Sequence, residues 1–488
     1  MRRFQNDPEG RRLPIKLDSA SNGEFEPRPL SQTNRLANRL AHAAATLNAR
    51  RCGMQRRDFL VSACGAASTL LAINTANAAA GKTGGAFDLD PDAAVDTQLA
   101  MDKLAGREFI FDIQGHYVDP NGNWMRDVPI TATPFDWPAK ARCELAKQPG
   151  LRSYLQCLGP KEFIKDVFLD SDTDMMVLSF VPSLRDAEPV TIEEAAATKE
   201  IVDNMEGSHR LLLHGRVNPN QDGDLEGMDE LAGRWKISAW KTYTQWGPDE
   251  KGFFLHEEPG LKLIEKARKL GIRTICIHKG LPFGPKSYEH SLASDIGIVA
   301  KQYPDVNFIV YHSGFIVGKA EGPYDPKRGE GVDELIRSVV ENDIQPNSNV
   351  YAELGTTWRM LMQDPDSAAH TLGKLFKYVG EDNVVWGTDS IWYGSPQDQI
   401  QAFRTFQISE ALREKHGYTG ISPALRAKVF GLNALRPYGL GVDEVLEYAR
   451  ADRVWRQRAE YREEPDPAFL TYGPKTRREF LNLLRIGG

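Results

Sequence analysis

The sequence lacks two features that would assign it to common classes of protein. Beyond residue 80, no apolar run approaches the length of a membrane span, which argues against a stable membrane anchor. Positive charge is also scarce there, since the net charge of −7 divides into +6 for residues 1–78 and −13 for the remainder. An acidic body argues against nucleic acid or an anionic membrane surface as the main partner. The 488 residues have an ordinary globular composition, which predicts one barrel-sized domain or two smaller ones.

An export signal is the clearest motif of the N-terminus. The twin-arginine pattern is QRRDFL at residues 55–60, a mostly apolar run follows at 61–72, and Ala76-Asn77-Ala78 has the small residues of a cleavage site. The preceding residues are polar and rich in Asn and Arg, which predicts disorder. We therefore expect residues 1–80 to be a disordered leader plus a twin-arginine signal peptide.

The signal has consequences for the location and partners of the protein. It predicts a periplasmic or otherwise exported protein that engages the twin-arginine export machinery. Met54 directly precedes the arginine pair, so translation could start there rather than at Met1. Twin-arginine export carries proteins that fold first, often around a cofactor, which suits a metalloenzyme.

Cysteine is sparse, with five residues in the chain. Removal of the leader takes Cys52 and Cys64 with it. Of the other three, Cys276 falls within a predicted strand and is expected to be a buried apolar residue. Cys143 and Cys157 could then form one disulfide in an oxidising compartment.

Eight near-continuous apolar runs begin after residue 100, and helical patterns separate them. The runs cover residues 109–113, 174–180, 210–216, 235–240, 273–277, 307–311, 349–354 and 383–386. Such runs are typical of parallel strands covered on both faces. Helical patterns cover residues 261–270, 291–303, 331–341 and 369–379. Eight strand–helix units predict a (β/α)₈ TIM barrel, of the α/β class, over residues 100–440.

The alternative fold is a doubly wound open sheet. It is disfavoured because no glycine-rich phosphate loop follows the first predicted strand.

Two segments of the chain are longer than a barrel requires. Residues 118–172 are expected to form a lid over its active end, and residues 441–488 a helical extension on its flank or on a neighbouring subunit.

Polar side chains end six of the predicted strands. They are Gln114 and His116 after the first strand, Lys241 after the fourth, His278 after the fifth, His312 after the sixth, Glu353 after the seventh and Asp389 after the eighth. Barrel enzymes place their chemistry at the carboxyl ends of strands. Three of only ten histidines lie at these ends, which predicts an active site rather than a set of structural residues. Because strand side chains alternate, Gln114 and His116 point to the same face of the strand and could bind one metal ion.

Several of these strand ends resemble one family. The motifs CIH at 276–278, VYHSG at 310–314 and WGTDS at 386–390 are similar to those of the amidohydrolase superfamily. The nearer resemblance is to the branch with aminocarboxymuconate semialdehyde decarboxylase and the γ-resorcylate decarboxylases. The sequence KVFGLNALRPYGL at 428–440 is similar to the terminal helix of that branch, and the resemblance runs from about Phe109 to Leu440.

The resemblance implies one divalent metal ion, zinc or manganese. Its ligands would be Gln114, His116, His278 and Asp389, with His312 as the general acid/base just off the metal. Neutral imidazoles and a carboxylate suit Zn²⁺, and Asp389 could bind metal or take a proton from bound water.

Gln114 departs from the family pattern, which typically has His or an acidic residue at this position. Either Gln114 binds through its amide oxygen, or the metal is held by His116, His278 and Asp389 alone. A third alternative is that the site has lost its metal. A neutral amide is a weaker ligand and could shift the preference from zinc toward manganese.

Further residues are candidates for substrate binding. Lys241 could be a carboxylated bridging lysine, but a salt bridge to Glu353 or contact with a substrate carboxylate is favoured because this branch uses one metal. Arg142 and Arg152 in the lid could clamp an anion. The aromatic candidates near strand ends are Trp240, Tyr243 and Trp392.

These residues lead to an expected function. The first expectation is a metal-dependent hydrolase of a small carboxylated or cyclic substrate, aromatic substrates included. The alternative is a non-oxidative, metal-dependent decarboxylase on the same fold, because both reactions suit the same residues. A second alternative is an inactive ligand-binding barrel, in which Gln114 marks decay. The resemblance is also compatible with a homodimer.

Overall fold

Eight parallel strands form one sheet in chain order, and this sheet is the barrel that the sequence predicts. The computed structural model describes residues 7–119, 122–125, 158–204, 209–249, 251–282, 287–465, 467 and 471–484. The barrel strands are β2 (Phe111–Gly115), β3 (Met175–Leu178), β4 (Leu211–Arg216), β5 (Ala239–Tyr243), β6 (Thr274–His278), β7 (Asn307–Tyr311), β8 (Val350–Glu353) and β9 (Val384–Val385). A parallel bridge between Gly115 and Ser390 brings the last strand end beside the first. The remaining pair, β1 (Gly85–Phe87) and β10 (Phe406–Ile408), is antiparallel and separate from the barrel.

Helices follow most of the barrel strands and cover its outer face. In the described residues the N-terminal helices are α1 (Gln32–Arg51), α2 (Arg56–Val61), α3 (Ala63–Ala79), α4 (Thr97–Leu104) and α5 (Pro160–Ile164). Those of the barrel are α6 (Ile192–Asp203), α7 (Asp224–Gly233), α8 (Glu258–Lys269), α9 (Ile296–Gln302), α10 (Val332–Glu341), α11 (Thr357–Leu361), α12 (Pro365–Tyr378), α13 (Gln397–Thr405), α14 (Glu410–His416), α15 (Pro423–Ala427) and α16 (Asn433–Tyr438). The C-terminal helices are α17 (Val442–Ala449), α18 (Arg453–Tyr461) and α19 (Arg477–Leu484). None of the described helices is long and apolar enough to cross a membrane.

Alternation along the strands separates two layers of core. In β6, Ile275 and Ile277 pack in the layer between strands and helices, whereas Cys276 packs in the cluster that fills the barrel interior. Because side chains alternate, His278 shares the inward face of Cys276. Cys276 is fully buried, as the sequence predicts.

The fourth predicted strand was placed too early. Residues 235–240 were expected to form it, but β5 begins at Ala239. Lys236 has a left-handed backbone, with φ of 51°, which interrupts an extended strand. The Trp235 side chain lies beside Arg234, whose guanidinium is 4.3 Å from the ring centroid. The assignment of Trp235 to a strand is therefore wrong, because this hydrophobic residue lies in the turn before β5.

Residues 7–80 are folded, contrary to the disorder expected of the residues that precede the twin-arginine pattern. Helices α1 and α3 pack together through small apolar residues, including Ala41 and Ala45 of one and Ala67 of the other, each at most 1% exposed. The helices begin at serine caps, where Ser31 and Ser62 accept backbone N–H groups of the first turn. Alanines four residues apart allow close helix contact, and this outweighs the polar composition on which the expectation rested.

Two segments lie outside the barrel, the expected lid and the C-terminal extension. Most of the lid expected at residues 118–172 lies outside the described residues, and so do Arg142, Arg152, Cys143 and Cys157. The C-terminal extension contains the helices α17 to α19. Arg458 of α18 is buried there and donates a hydrogen bond to the carbonyl oxygen of Phe168 at 2.8 Å.

We expect Asp172→Asn to lower the free energy of unfolding by about 2 kcal/mol at neutral pH. Burial alone would raise the pKa of Asp172, but the guanidinium groups of Arg404 and Arg462 outweigh burial and bring the pKa down to about 2. A depressed pKa stabilises the fold above the unfolded value, and this contribution disappears as the pH falls through the folded value. In urea unfolding, the gap between wild type and variant should close from about pH 4 to about pH 2.

Asp88→Asn is the matched control for this prediction. Asp88 pairs with Lys103 at 2.6 Å, but both side chains are about half exposed. An exposed pair contributes less than about 1 kcal/mol, so the control should unfold nearly as the wild type does. Equal losses in the two variants would contradict the stabilising role of the buried Asp172 cluster.

Candidate metal-binding active site

The carboxyl ends of the barrel strands bring the predicted polar residues together. His116 directly follows β2, His278 ends β6, His312 follows β7, and Asp389 lies beyond β9; all four are at most 2% exposed. The register of β6 and β7 pairs His278 with Tyr311, so that the rings of His278 and His312 lie 4.6 Å apart. The sequence-based prediction that these strand ends meet is therefore supported by their positions.

The backbone is strained where it leaves β7 and β9. His312 has a φ of 62° and Asp389 a φ of 60°, both in the left-handed region that non-glycine residues rarely adopt. Such conformations persist only where the surrounding structure imposes them, and they are common at functional sites. They turn both side chains into the space above the barrel core.

Backbone carbonyls orient the imidazole rings. His116 Nδ1 lies 3.0 Å from the carbonyl oxygen of Ser179, and His312 Nδ1 lies 2.7 Å from that of Gly355. Because a carbonyl only accepts, these nitrogens carry hydrogen, and the Nε2 atoms face the site. His278 is reversed, since its Nε2 lies 3.4 Å from the carbonyl oxygen of Leu281 and its Nδ1 faces the site.

Two of these rings are neutral at physiological pH. Burial lowers the pKa of His278 well below its ordinary value, and the nearby His312 lowers it further. Burial also lowers the pKa of His312, to about 4, although the Asp389 carboxylate opposes this effect. Neutral imidazoles keep a lone pair, which is the form that binds a metal ion.

A carboxyl group from the N-terminal segment, that of Glu24, faces the two neutral rings; burial raises its pKa well above the ordinary value, and the nearby Asp389 charge raises it further. Glu24 Oε1 is 3.4 Å from His278 Nδ1, and Glu24 Oε2 is 3.7 Å from His312 Nε2. The ligand atoms of Glu24, His278 and His312 all lie within 4.8 Å of one another. Ligands of one tetrahedral zinc ion, each about 2.1 Å from it, are about 3.4 Å apart. The spacing and the donor types therefore fit a divalent cation.

The second half of the site joins Asp389 to His116. His116 Nε2 lies 3.2 Å from Asp389 Oδ1, a separation that a shared proton or a metal ion can bridge. Burial raises the pKa of a carboxyl group, but the hydrogen bond and charge of His116 outweigh burial and bring the pKa of Asp389 down to about 2. Thr356 Oγ1 donates a further hydrogen bond to Asp389 Oδ2 at 2.6 Å. Asp389 is thus ionised and held in place.

Gln114 lies in the site and contacts Asp389 through its amide nitrogen. Its Nε2 donates to Asp389 Oδ1 at 3.0 Å. Among the described residues, no hydrogen-bond partner is present for three buried atoms of the site, Gln114 Oε1, His278 Nδ1 and His312 Nε2. Buried polar atoms normally have partners, so these three orphaned acceptors again fit a site that takes a cation.

Residues 165–440, more than half of the chain, match the amidohydrolase family. The chain belongs to this family. It is therefore a metal-dependent, hydrolase-type enzyme, and the resemblance stated from the strand ends is confirmed at family level. The matched residues begin after β2, so Gln114 and His116 lie outside them.

Solved structures that match this amidohydrolase share little sequence with it. 2,6-Dihydroxybenzoate decarboxylase from Rhizobium is 14% identical with a TM-score of 0.41, over 68% of this chain and 99% of that one. 5-Carboxyvanillate decarboxylase from Sphingomonas paucimobilis is 11% identical with a TM-score of 0.40, over 68% and 99%. 4-Oxalomesaconate hydratase from Rhodopseudomonas palustris is 16% identical with a TM-score of 0.38, over 70% and 98%. No curated protein matches the chain.

Lys241 and Glu353 do not form the predicted salt bridge in this amidohydrolase. Glu353 instead accepts the backbone N–H groups of His312 at 2.9 Å and of Gly355 at 2.5 Å. The Lys241 ammonium lies 3.4 Å from the centroid of the Tyr311 ring and, within the described part of the chain, makes no hydrogen bond. Burial lowers the pKa of Lys241 to about 8. It is a buried cation without a hydrogen-bonded counterion.

Of the three aromatic candidates, two flank the histidines and one does not. Tyr243 stacks on His278 with ring centroids 4.6 Å apart, and Trp392 stacks on His116 at 6.0 Å. Trp240 packs in the layer between strands and helices, where its indole N–H donates to the carbonyl oxygen of Ile272 at 2.9 Å. The prediction for Trp240 is wrong because neighbouring strand residues alternate, and Lys241 takes the inward face.

The residues that sequence reasoning missed come mostly from the N-terminus. Glu24 was overlooked because the whole segment was read as a disordered leader, and Asn22, which contacts Asp389, was missed with it. Alternating Leu13, Ile15 and Leu17, all fully buried, form a local signal for an extended buried strand-like segment. That signal predicts burial, but it does not say which part of the barrel the segment covers.

Proposed function

We propose that this amidohydrolase hydrolyses a small carboxylated or cyclic substrate, aromatic substrates included, with one bound divalent metal ion. The observation that carries the proposal is the set of buried imidazole nitrogens and the ionised Asp389, which converge at the carboxyl ends of the strands. An inactive ligand-binding barrel is disfavoured because such a barrel has no need for an ionised carboxylate beside neutral, oriented imidazoles.

In this proposal the metal would be held by His116, His278 and Asp389. Among the described residues, the ligand atoms that lie within 4.8 Å of one another are those of Glu24, His278 and His312, so only His278 is common to both sets. The amide nitrogen of Gln114 donates to Asp389, which favours an orienting role for Gln114 over that of a fourth ligand. Zinc and manganese both suit imidazole and carboxylate ligands, and zinc is preferred where imidazoles dominate. When bound, the metal would polarise a substrate oxygen and lower the pKa of water.

The chain's own groups would move the protons of hydrolysis. Asp389 is ionised and accepts a proton from the attacking water, while Thr356 keeps its carboxylate in position. His312 is neutral, and its Nδ1–H is engaged by Gly355, so its bare Nε2 first accepts the proton that Asp389 has taken from water and then passes it to the leaving group. Lys241 would bind a substrate carboxylate, since it is a buried cation that makes no hydrogen bond within the described residues.

Non-oxidative decarboxylation is the second candidate. The observation in its favour is the buried ammonium of Lys241, which lies 4.7 Å from the centroid of the Tyr243 ring, an arrangement that suits an aromatic carboxylate. The two reactions differ in product, because decarboxylation releases CO₂ and hydrolysis releases a new carboxylic acid.

The test is metal content by mass spectrometry, followed by product analysis. We expect about one equivalent of zinc or manganese in protein purified without chelator, and loss of turnover on its removal. A panel of aromatic carboxylates and lactones, with CO₂ and acid release measured separately, then distinguishes the two reactions. Protein that binds no metal and turns over no substrate would overturn both and leave the ligand-binding barrel.

We also propose that the protein is exported by the twin-arginine machinery. The proposed cleavage site lies in α3, where Ala76 and Asn77 are 1% and 2% exposed. A peptidase needs an extended, accessible segment, so α3 has to leave the α1 surface before cleavage. N-terminal sequencing of the periplasmic protein tests this, and an intact N-terminus there would contradict it.

The homodimer stays a prediction.

A further inference from the structure

We infer that residues 18–25, here called the plug segment, occupy the substrate position of the active site and hold the unprocessed chain latent. In this arrangement the Glu24 carboxyl group occupies the space in front of His278 and His312 that a substrate carboxylate drawn in by Lys241 would enter. The inference rests on the proposed function for the identity of the site. It adds a substrate class, small carboxylates, and a means of regulation.

A tight turn presents Glu24 to the barrel. Ser21 Oγ accepts the N–H of Gly23 at 2.9 Å and donates to the carbonyl oxygen of Phe25 at 2.6 Å. Asn22 Oδ1 accepts the N–H of Glu24 at 2.9 Å. Gly23 has a φ of 99°, which a residue with a side chain rarely adopts. The turn is thus preorganised before it meets the site.

Two side chains of the turn contact three of the groups to which we assign chemistry, His278, His312 and Asp389. The two Glu24 oxygens face His278 Nδ1 and His312 Nε2, at 3.4 and 3.7 Å. Asn22 Nδ2 donates to Asp389 Oδ2 at 2.6 Å and to Glu24 Oε2 at 2.5 Å. An external substrate carboxylate could not reach these atoms while the turn is in place.

The plug segment is anchored by contacts outside the catalytic groups. Asp18 Oδ1 lies 2.6 Å from the guanidinium of Arg359, and both side chains are fully buried. The N–H of Ser21 donates to the carbonyl oxygen of Pro474 in the C-terminal extension at 2.8 Å. Tethering of this kind gives Glu24 a high effective concentration at the site, so that it outcompetes a weak free carboxylate.

The plug segment is nevertheless separable from the enzyme. It precedes the proposed cleavage site after Ala78, so cleavage there would remove it with the leader. Its outer side borders a cavity of about 290 Å³ whose walls include Phe25, Arg28 and Met360. Movement of the turn into this space has to break the buried Asp18–Arg359 contact, and leader removal, which takes Asp18 away, would open the site permanently.

The test uses the full chain and benzoate as the carboxylate probe. Calorimetric titrations compare the wild type with Glu24→Ala, which removes the competing carboxyl group, and with Asn22→Ala, which removes the contact to Asp389. We expect benzoate to bind at least about tenfold more tightly to both variants. Glu26→Ala is the matched control, because Glu26 is half exposed and pairs only with Arg477 in the described residues; it should behave as the wild type.

A second measurement follows the plug segment directly. In the wild type, saturating benzoate should accelerate hydrogen exchange of the backbone amides at residues 18–25, because the probe displaces the turn. Glu24→Gln preserves the shape of the side chain, so it replaces Glu24→Ala in both measurements if Glu24→Ala fails to fold.

Two results would overturn the inference. One is equal benzoate affinity in the wild type and Glu24→Ala. The other is loss of bound metal from Glu24→Ala, which would make Glu24 a permanent ligand. The proposed function is tested separately, by the metal content of the wild type. The benzoate titrations are repeated on chelator-treated protein, so that they do not depend on bound metal. A metal-free wild type would end that proposal, while the affinity difference would still decide whether residues 18–25 block the site.

Discussion

His278→Ala should abolish metal binding and lower kcat/KM at least about a thousandfold. The His278 ring is fully buried at the end of β6, its Nε2 is directed to Leu281, and its Nδ1 is left facing the site. Removing it takes away one of three proposed ligands. A loss of several kcal/mol of transition-state stabilisation corresponds to that factor. Metal analysis and steady-state kinetics on the same preparation measure both effects.

His256→Ala is the control for this variant. His256 is exposed and stacks on Phe254, with ring centroids 5.4 Å apart, well away from the barrel axis. It should retain both metal and turnover. A His278→Ala protein that folds and keeps a full equivalent of metal would show that His278 is not a ligand, and the proposed metal set would then fail.

His312→Asn should keep the metal and lower kcat by about a hundredfold to ten-thousandfold. This range is the usual contribution of a general acid/base. Asparagine can still donate a hydrogen bond to the carbonyl oxygen of Gly355, but it cannot accept and release a proton as imidazole does. Metal content and kcat, compared with those of His278→Ala, separate the two histidines.

The alternative outcome for His312→Asn is equally informative. His312 Nε2 lies within ligand distance of Glu24 and His278, so this nitrogen could itself bind the metal. Loss of metal from His312→Asn, to the level of His278→Ala, would assign His312 to the ligand set and contradict its role in proton transfer. Retention of metal with a small effect on kcat would remove His312 from the mechanism altogether.

The sequence predicted the barrel because its signals are local. Each buried parallel strand is a short apolar run, and each run is followed by a helix with its own apolar stripe, as in β7 and α10. Chain order then determines strand order, since parallel strands joined by helices lie side by side. The boundaries were less certain, and Trp235 displaced the fourth strand because hydrophobicity alone does not distinguish a strand from a buried turn.

The strand-end residues were also predictable, for a topological reason. All carboxyl ends of a barrel lie on one face, so His278, His312 and Asp389 had to approach one another wherever the loops led. Their detailed roles were not predictable. The hydrogen bonds that orient each ring come from carbonyls such as those of Ser179 and Gly355, and Glu353 binds backbone amides rather than Lys241.

By itself, therefore, the sequence determined the fold and the family, together with the side of the barrel that carries the chemistry. Only the tertiary structure decided that Glu24 and Asn22 enter the site from a segment more than 250 residues before His278 in the chain. The physical reason is that periodicity and spacing record contacts between neighbours in sequence. A contact between the N-terminal turn and the barrel depends on shape and burial over the whole molecule, and no local pattern encodes it.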